Sequence, residues 1–273
     1  MTSAGGYAEV IGDPIAHSRS PEIHKFWLEA LRLDFDYRAT RVARGELPAY
    51  VESRRADANW RGCNVTMPLK LDAIMQADEA SDRAVAAGAA NLLLRKDTGI
   101  LAGNTDVGAI LQLLGPRLQQ HPDSAITVLG NGGAARAVLV AMRMLGHGQV
   151  RIQARDLGEA YKLAVEFRLE EEPRRFDVPV DSAGLVNATP LGMAGYPTIA
   201  IDLSPMPGHG WVMDMVTEPA ETALLLAARE RGLATLDGLT MLVEQAAASF
   251  MLLFGHEAPR ELDPQLMTRL RSR

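Results

Sequence analysis

A chain of 273 residues has room for two domains with substantial cores, and its 47% hydrophobic and 23% charged residues describe an ordinary water-soluble globular protein. The net charge of −6 and the pI near 5.6 argue against nucleic acid or an anionic membrane as partner, since both demand a basic face. Residues 1–9 carry no signal-peptide pattern and no apolar run of about 18 residues occurs, so a cytoplasmic protein is expected.

Tyr7 to Gly12 reads as a strand broken at the glycine and followed by the loop 13–19. Ser20-Pro21 opens a helix: serine is a favoured N-cap, proline fits the first helical position, and Ile23, Phe26, Trp27, Ala30 and Leu31 recur along one face. Capping accounts for Ser20 but not for Ser18, on the other side of Arg19. Asp36 to Val42 is a second expected strand, and Leu47 to Arg55 a helix turning Leu47, Tyr50 and Val51 inward. Trp60 to Thr66 is a third strand, in which the lone cysteine, Cys63, is expected to be a small buried hydrophobe with no disulfide to make.

The chemistry is expected in Asn64-Val65-Thr66-Met67-Pro68-Leu69-Lys70, which follows this strand. Pro68 suits the first turn of a helix, which sets Lys70 about two residues further in. A cation there faces the positive end of the helix dipole, at a cost of roughly 0.3–1 kcal/mol. The position is poor for stability and favourable for proton transfer, and Lys70 is one of only four lysines among 28 basic residues. Ala80 to Ala87 reads as a helix ending at Gly88, and Ala90 to Leu94 and Ile100 to Gly103 as strands joined by the turn 96–99. The polar cluster Asn104-Thr105-Asp106 precedes a helix from Val107 to Leu114. Strands alternating with helices at this spacing make an α/β layer. Ser18, Asn64, Thr66, Asn91 and Asp106 fall at strand ends or just after them, where open α/β sheets bind ligands.

The loop 115–124, with Pro116 and Pro122, is expected to separate a second part. There the apolar strand Ala125 to Leu129 leads into Gly130-Asn131-Gly132-Gly133-Ala134-Ala135 and a helix from Ala137 to Leu145. This is the G-x-G-x-x-G/A dinucleotide fingerprint in its required context, with Gly130 for the turn, Gly132 for close backbone approach and Ala135 as the third small residue. A second strand, Gln149 to Ala154, arrives on schedule and ends at Arg155 and Asp156. An acid there usually holds a ribose hydroxyl of NAD, whereas an arginine accommodates the 2′-phosphate of NADP. Both are present, and NADP is expected to be preferred, with NAD as the weaker alternative. Leu185 to Met193 reads as a strand and a polar turn, Trp211 to Val216 as a strand, and Thr222 to Arg231 as a helix closing at Gly232. The last long helix, Leu239 to Phe254, sets Gln245 among apolar residues, where it must find partners or face a ligand. The six histidines show no metal-ligand spacing, so no metal is expected.

Taken in order, Ser18-Arg19-Ser20-Pro21-Glu22-Ile23-His24, the Asn64 to Lys70 stretch, Gly88-Ala89-Ala90-Asn91, Gly103-Asn104-Thr105-Asp106, the glycine loop, Asn187-Ala188-Thr189 with Gly192-Met193, and Gly238 to Ala246 resemble the shikimate dehydrogenase family along essentially the whole chain. The resemblance implies that Lys70 and Asp106 form a catalytic pair. It implies that Ser18, Ser20, Asn64, Thr66, Asn91 and Gln245 hold the substrate's hydroxyls and carboxylate, with Thr217 standing where the family usually has a substrate-facing tyrosine. For the cofactor it implies Gly130, Asn131, Gly132, Gly133, Ala134, Arg155, Asp156, Asn187, Thr189, Met215 and Gly238. Two further departures are Ala154-Arg155-Asp156 in place of the family's Asn-Arg-Thr, and Lys25 in place of an asparagine.

The fold so implied is an α/β substrate domain of residues 1–106 completed by helices in 238–273, with a Rossmann-type NAD(P)-binding domain of residues 107–237 inserted. The activity implied is reversible NADPH-dependent reduction of 3-dehydroshikimate to shikimate, in aromatic amino-acid biosynthesis, by a cytoplasmic monomer or homodimer whose partners are small molecules. Oxidation of quinate or an amino analogue of shikimate, or a silent nucleotide sensor on the same fold, are the alternatives.

Overall fold

The structure, a computed structural model, describes residues 5–272. The chain forms two compact units, Met1–Gly108 with Val243–Arg273, and Ala109–Leu242.

The first unit opens with strand β1 (Tyr7–Gly12), helix α1 (Ser20–Ala30), β2 (Asp36–Arg41), α2 (Leu47–Arg55) and β3 (Trp60–Val65). A short helix α3 (Lys70–Ala73), β4 (Glu79–Ala80), α4 (Asp82–Ala87), the hairpin β5 (Leu92–Lys96) and β6 (Gly99–Gly103), and helix α5 (Thr105–Gln120) follow. The six strands form one sheet in the order β2-β1-β3-β5-β6-β4, with β5 antiparallel to both neighbours. Since β2 and β3 flank β1 in parallel, the chain reverses its direction of winding beside β1, and the loops leaving β1 and β3 meet there. Their approach is close. A side chain at Gly12 would meet Thr66 Cγ2 at 2.5 Å and the Met67 carbonyl at 2.6 Å, so only glycine fits.

Strand β1 is buried along its length, Glu9 included. Arg54 donates to the Glu9 carboxylate at 2.7 and 3.1 Å, Tyr50 Oη at 2.7 Å and Thr40 Oγ1 at 2.5 Å. Burial alone would push this carboxyl up, but the bonds from Arg54, Thr40 and Tyr50 outweigh it and hold it below the usual range. Its folded-state pKa being depressed, the stabilisation is full at neutral pH and is lost as pH falls through the carboxylate range. Glu9→Gln is expected to cost about 1–3 kcal/mol in urea unfolding at pH 7, with the gap to wild type closing in acid. A gap that widens in acid contradicts this account.

The second unit comprises most of α5, then β7 (Ile126–Leu129), α6 (Gly133–Met144), β8 (Val150–Gln153), α7 (Leu157–Phe167), β9 (Gly184–Asn187), β10 (Trp211–Asp214), α8 (Ala223–Glu230) and β11 (Ala234–Leu236). Its five strands are all parallel, in the order β11-β10-β9-β7-β8. The chain then returns to the first unit within α9 (Gly238–Phe254) and ends with α10 (Asp263–Arg271).

Several local expectations are corrected. Ser20 caps nothing: it is the first helical residue of α1, and its N–H points to Ser18 Oγ at 3.4 Å, so Ser18 is the hydroxyl facing the helix start. Pro68 lies ahead of α3, after a cis Met67–Pro68 bond, and Lys70 itself opens that helix. Four residues align few peptide dipoles, so the helix-dipole argument for Lys70 carries little weight. Helix α5 starts at Thr105 and runs through Gly115 and Pro116 to Gln120. Proline removes one helical hydrogen bond, yet Leu114 and Leu118, one turn apart, are both buried and hold the helix together across it.

Candidate active site

Lys70 Nζ lies 2.7 Å from Asp106 Oδ2. Asp106 stands in the first turn of α5, where a negative charge is favoured, and Asn104 Oδ1 caps that turn by accepting from the Val107 N–H at 3.2 Å. The second Asp106 oxygen accepts from Asn91 Nδ2 at 2.8 Å. The Asn91 amide group also donates to Thr105 Oγ1 at 2.9 Å and reaches Gln245 Oε1 at 3.4 Å, while its Oδ1 accepts the Thr105 N–H at 2.7 Å. Asp106 is only 4% exposed, whereas the Lys70 side chain keeps 18% of its surface, so this ion pair is sealed on the carboxylate side and open on the ammonium side. A held, partly accessible ammonium on an aligned carboxylate is suited to passing a proton to an oxygen beside it.

Asn64, at the end of β3, is buried; its Oδ1 accepts from Tyr37 Oη at 2.7 Å and its Nδ2 donates to Ser249 Oγ at 2.8 Å. Thr66 is half-buried in the loop beyond. The loop with Ser18 and Ser20 is tied to the end of the chain: Arg19 donates to Glu22 at 3.2 Å and to the Leu270 carbonyl at 2.8 Å, and Arg269 reaches Glu22 at 3.0 Å. The structure thus links Lys70, Asp106, Asn91 and Gln245 in one hydrogen-bonded group, joined to Asn64 through Ser249 and Thr105. Among the described residues the two serines share no hydrogen bond with that group.

In the second unit, Gly130 follows β7 with φ +102, and a side chain there would come within 2.8 Å of Thr189 Cγ2 in the loop after β9. Strands β7 and β9 are neighbours at the point where this sheet reverses its winding, the position at which such sheets bind ligands. Helix α6 begins at Gly133 with no side-chain cap, which leaves its first-turn N–H groups for an anion. Asn187 is fully buried. Its Nδ2 donates to Asp214 Oδ1 at 2.8 Å, and its Oδ1 accepts from the N–H and hydroxyl of Thr189 at 3.0 and 2.7 Å, so it shapes the loop. Burial pushes the Asp214 carboxyl up, against bonds from Thr222, Val216 and Asn187. Asp156 caps α7, its Oδ1 accepting from the Glu159 N–H at 3.1 Å, while Arg155 is exposed and has no ion pair among the described residues. Met215 and Thr217 follow β10 ahead of a cis Glu218–Pro219 bond, and Gly238 opens α9, where a side chain would strike the Val216 carbonyl at 2.1 Å.

Three residues of the first-unit network were not anticipated: Tyr37, Thr105 and Ser249. Ser249 had a signal, since it is one of few polar residues on a mostly apolar helix and lies four residues after Gln245, on the same face. Among the described residues no group of three His, Cys, Asp or Glu could hold a metal, and no helix is long and apolar enough to cross a membrane.

The parallel sheet with its glycine turn at the switch point is a Rossmann-type nucleotide-binding unit, and the lysine–aspartate unit beside it in sequence makes the whole a two-unit α/β dehydrogenase fold. Residues 10–93 match the family model of the shikimate dehydrogenase substrate binding domain, and residues 238–263 that of the shikimate 5'-dehydrogenase C-terminal domain. The chain is 45% identical to a shikimate dehydrogenase (NADP(+)) of Sphingopyxis alaskensis over 98% of this chain and 97% of that protein. It is 41% identical to another from Methylobacterium radiotolerans over 99% and 98%. Among solved structures it is similar to shikimate 5-dehydrogenase from Thermus thermophilus in complex with NADP(H) and shikimate, with a TM-score of 0.83 and 34% identity, covering 97% of this chain and 99% of that one. The chain belongs to the shikimate dehydrogenase family.

Proposed function

We propose that this chain catalyses the reversible NADPH-dependent reduction of 3-dehydroshikimate to shikimate, in the pathway to aromatic amino acids. The observation that carries the chemistry is the Lys70–Asp106 pair at 2.7 Å, in a chain 45% identical to a relative of that activity. Bound NADPH supplies the hydride. Lys70 gives the proton to the carbonyl oxygen and stabilises the developing alkoxide, and Asp106 holds the ammonium in place. Ser18, Ser20, Asn64, Thr66, Asn91 and Gln245 hold the substrate's hydroxyls and carboxylate, and Thr217 is a further substrate-binding residue. Asn64 Oδ1 keeps a lone pair beyond the one Tyr37 uses. Residues 1–106 and 238–273 form the substrate domain, and 107–237 the cofactor domain, in a monomer or homodimer working in the cytoplasm.

The glycine turn fits the cofactor: a side chain at Gly130 is excluded by Thr189, and the first turn of α6 is uncapped. Gly130, Asn131, Gly132, Gly133 and Ala134 would hold the pyrophosphate, with Thr189, Met215 and Gly238 along the remainder and Asn187 setting the loop. The assay is spectrophotometric, following NADP(H) with shikimate, with quinate and with no substrate. Turnover with shikimate is expected; turnover with quinate alone refutes the substrate, and none with either refutes the activity.

Arg155, exposed and without an ion pair among the described residues, can fork onto a 2′-phosphate. Asp156 sits next to it as a cap, and its negative charge makes the preference for NADP less strict. Arg155→Ala is expected to raise KM for NADP about 10- to 100-fold, the worth of a charged hydrogen bond, with NAD nearly unaffected. Asp156→Thr should widen the preference for NADP, and threonine still caps α7. A wild type with higher kcat/KM for NAD contradicts this assignment.

A further inference from the structure

Ser249 lies one turn beyond Gln245 in α9 and is fully buried. Three groups converge on its hydroxyl oxygen: Asn64 Nδ2 at 2.8 Å, the Gln245 carbonyl at 3.0 Å and Thr105 Oγ1 at 3.1 Å. A serine hydroxyl has one proton and two lone pairs. The Gln245 carbonyl can only accept, so it takes that proton, and Asn64 and Thr105 both donate to Ser249. Thr105 thereby spends its proton, and its oxygen is left to accept from Asn91 Nδ2 at 2.9 Å. The other Asn91 amide proton is aimed at Asp106 Oδ1 at 2.8 Å, and Asp106 Oδ2 holds Lys70 at 2.7 Å.

The other arm has a direction too. Asn64 Nδ2 lies 3.4 Å from the Asn91 main-chain carbonyl, which excludes the flipped amide, and Tyr37 Oη donates to Asn64 Oδ1 at 2.7 Å. Tyr37 is fully buried, with the His24 ring stacked on it at 4.0 Å, and burial keeps its phenol protonated. The Ser249 hydroxyl therefore sets the sense of the Thr105 bond and anchors Asn64 Nδ2, while Asp106 and the Thr105 N–H turn the Asn91 carboxamide. Without it, Thr105 can turn to Asn91 Oδ1 at 3.3 Å or Gln245 Oε1 at 3.4 Å, and Asn64 Nδ2 keeps only its long bond to Asn91.

We propose that Ser249 is a positioning residue, which holds the Asn64 carboxamide toward the substrate and turns the Thr105 hydroxyl so that its oxygen accepts from Asn91. This rests on the reaction proposed above. Ser249→Ala is expected to raise KM for shikimate about tenfold, the worth of one hydrogen bond, with KM for NADP unchanged. A merely structural role would lower the folded, active fraction, and so kcat, without moving KM. Tyr37→Phe frees Asn64 from its other side while keeping the ring on His24, so the double variant should be non-additive, with a KM no higher than that of the worse single variant.

A readout without substrate separates this proposal from the reading beneath it. By NMR, the Asn64 side-chain amide should exchange slowly in wild type and lose that protection in Ser249→Ala. A wild type inactive on shikimate sinks the activity alone, and the amide exchange still decides Ser249. An unchanged Asn64 exchange rate, or a KM for shikimate in Ser249→Ala within about twofold of that of an active wild type, overturns the proposal.

Discussion

Lys70→Ala is expected to lower kcat by about 10²–10⁴, the usual worth of a general acid or base, with little change in KM for NADP. The reason is geometric. Among the described residues Lys70 is the only cation held against Asp106, with part of its side chain exposed, and removing it leaves a carboxylate that cannot supply the proton. Lys70→Arg tests position against charge: a guanidinium keeps the charge but surrenders its proton far less readily, so it should also be severely impaired. Steady-state rates near those of wild type in Lys70→Ala would remove this residue from the mechanism.

Asp106→Asn should also lose about 10²–10⁴ in kcat, although it is nearly isosteric. Asp106 accepts on both oxygens, from Lys70 and from Asn91. An asparagine can satisfy only one of these donors and turns an N–H toward the other, so either Lys70 is pushed away or the Asn91 amide is. Because the two residues act as a unit, the double variant Lys70→Ala/Asp106→Asn should be little worse than either alone. Losses that multiply would show that each works by itself. Circular dichroism should remain that of wild type, since neither change opens a cavity in the apolar core.

Much of the architecture could be read from local pattern. A short run broken at a glycine placed β1 at Tyr7–Gly12, and inward residues at helical spacing placed α2 at Leu47–Arg55, with the bounds observed. The glycine turn was legible because a strand and a helix flank it. Elsewhere packing overrides a local rule. Serine before proline reads as a cap, yet the helix takes Ser20 in as its first residue, with its N–H toward Ser18 Oγ. Proline after glycine reads as a break, yet buried Leu114 and Leu118 carry α5 across Pro116. The edge strands β4 and β11 and helices α7 and α10 were not anticipated. The strands are two and three residues long, too short for any period to show.

The sequence by itself determined the class of element at most positions, the polar residues clustered at strand ends, and the nucleotide fingerprint, because each of these is written in residues a few positions apart. Only the tertiary structure decided which of those polar groups meet. Lys70 and Asp106 are 36 residues apart, Asn64 and Ser249 185 apart, and what joins them is the sheet order around β1 and the return of the chain through α9. The direction of the hydrogen bonds in that group is likewise invisible in one dimension: it follows from how many protons and lone pairs each buried group has once its neighbours are in place.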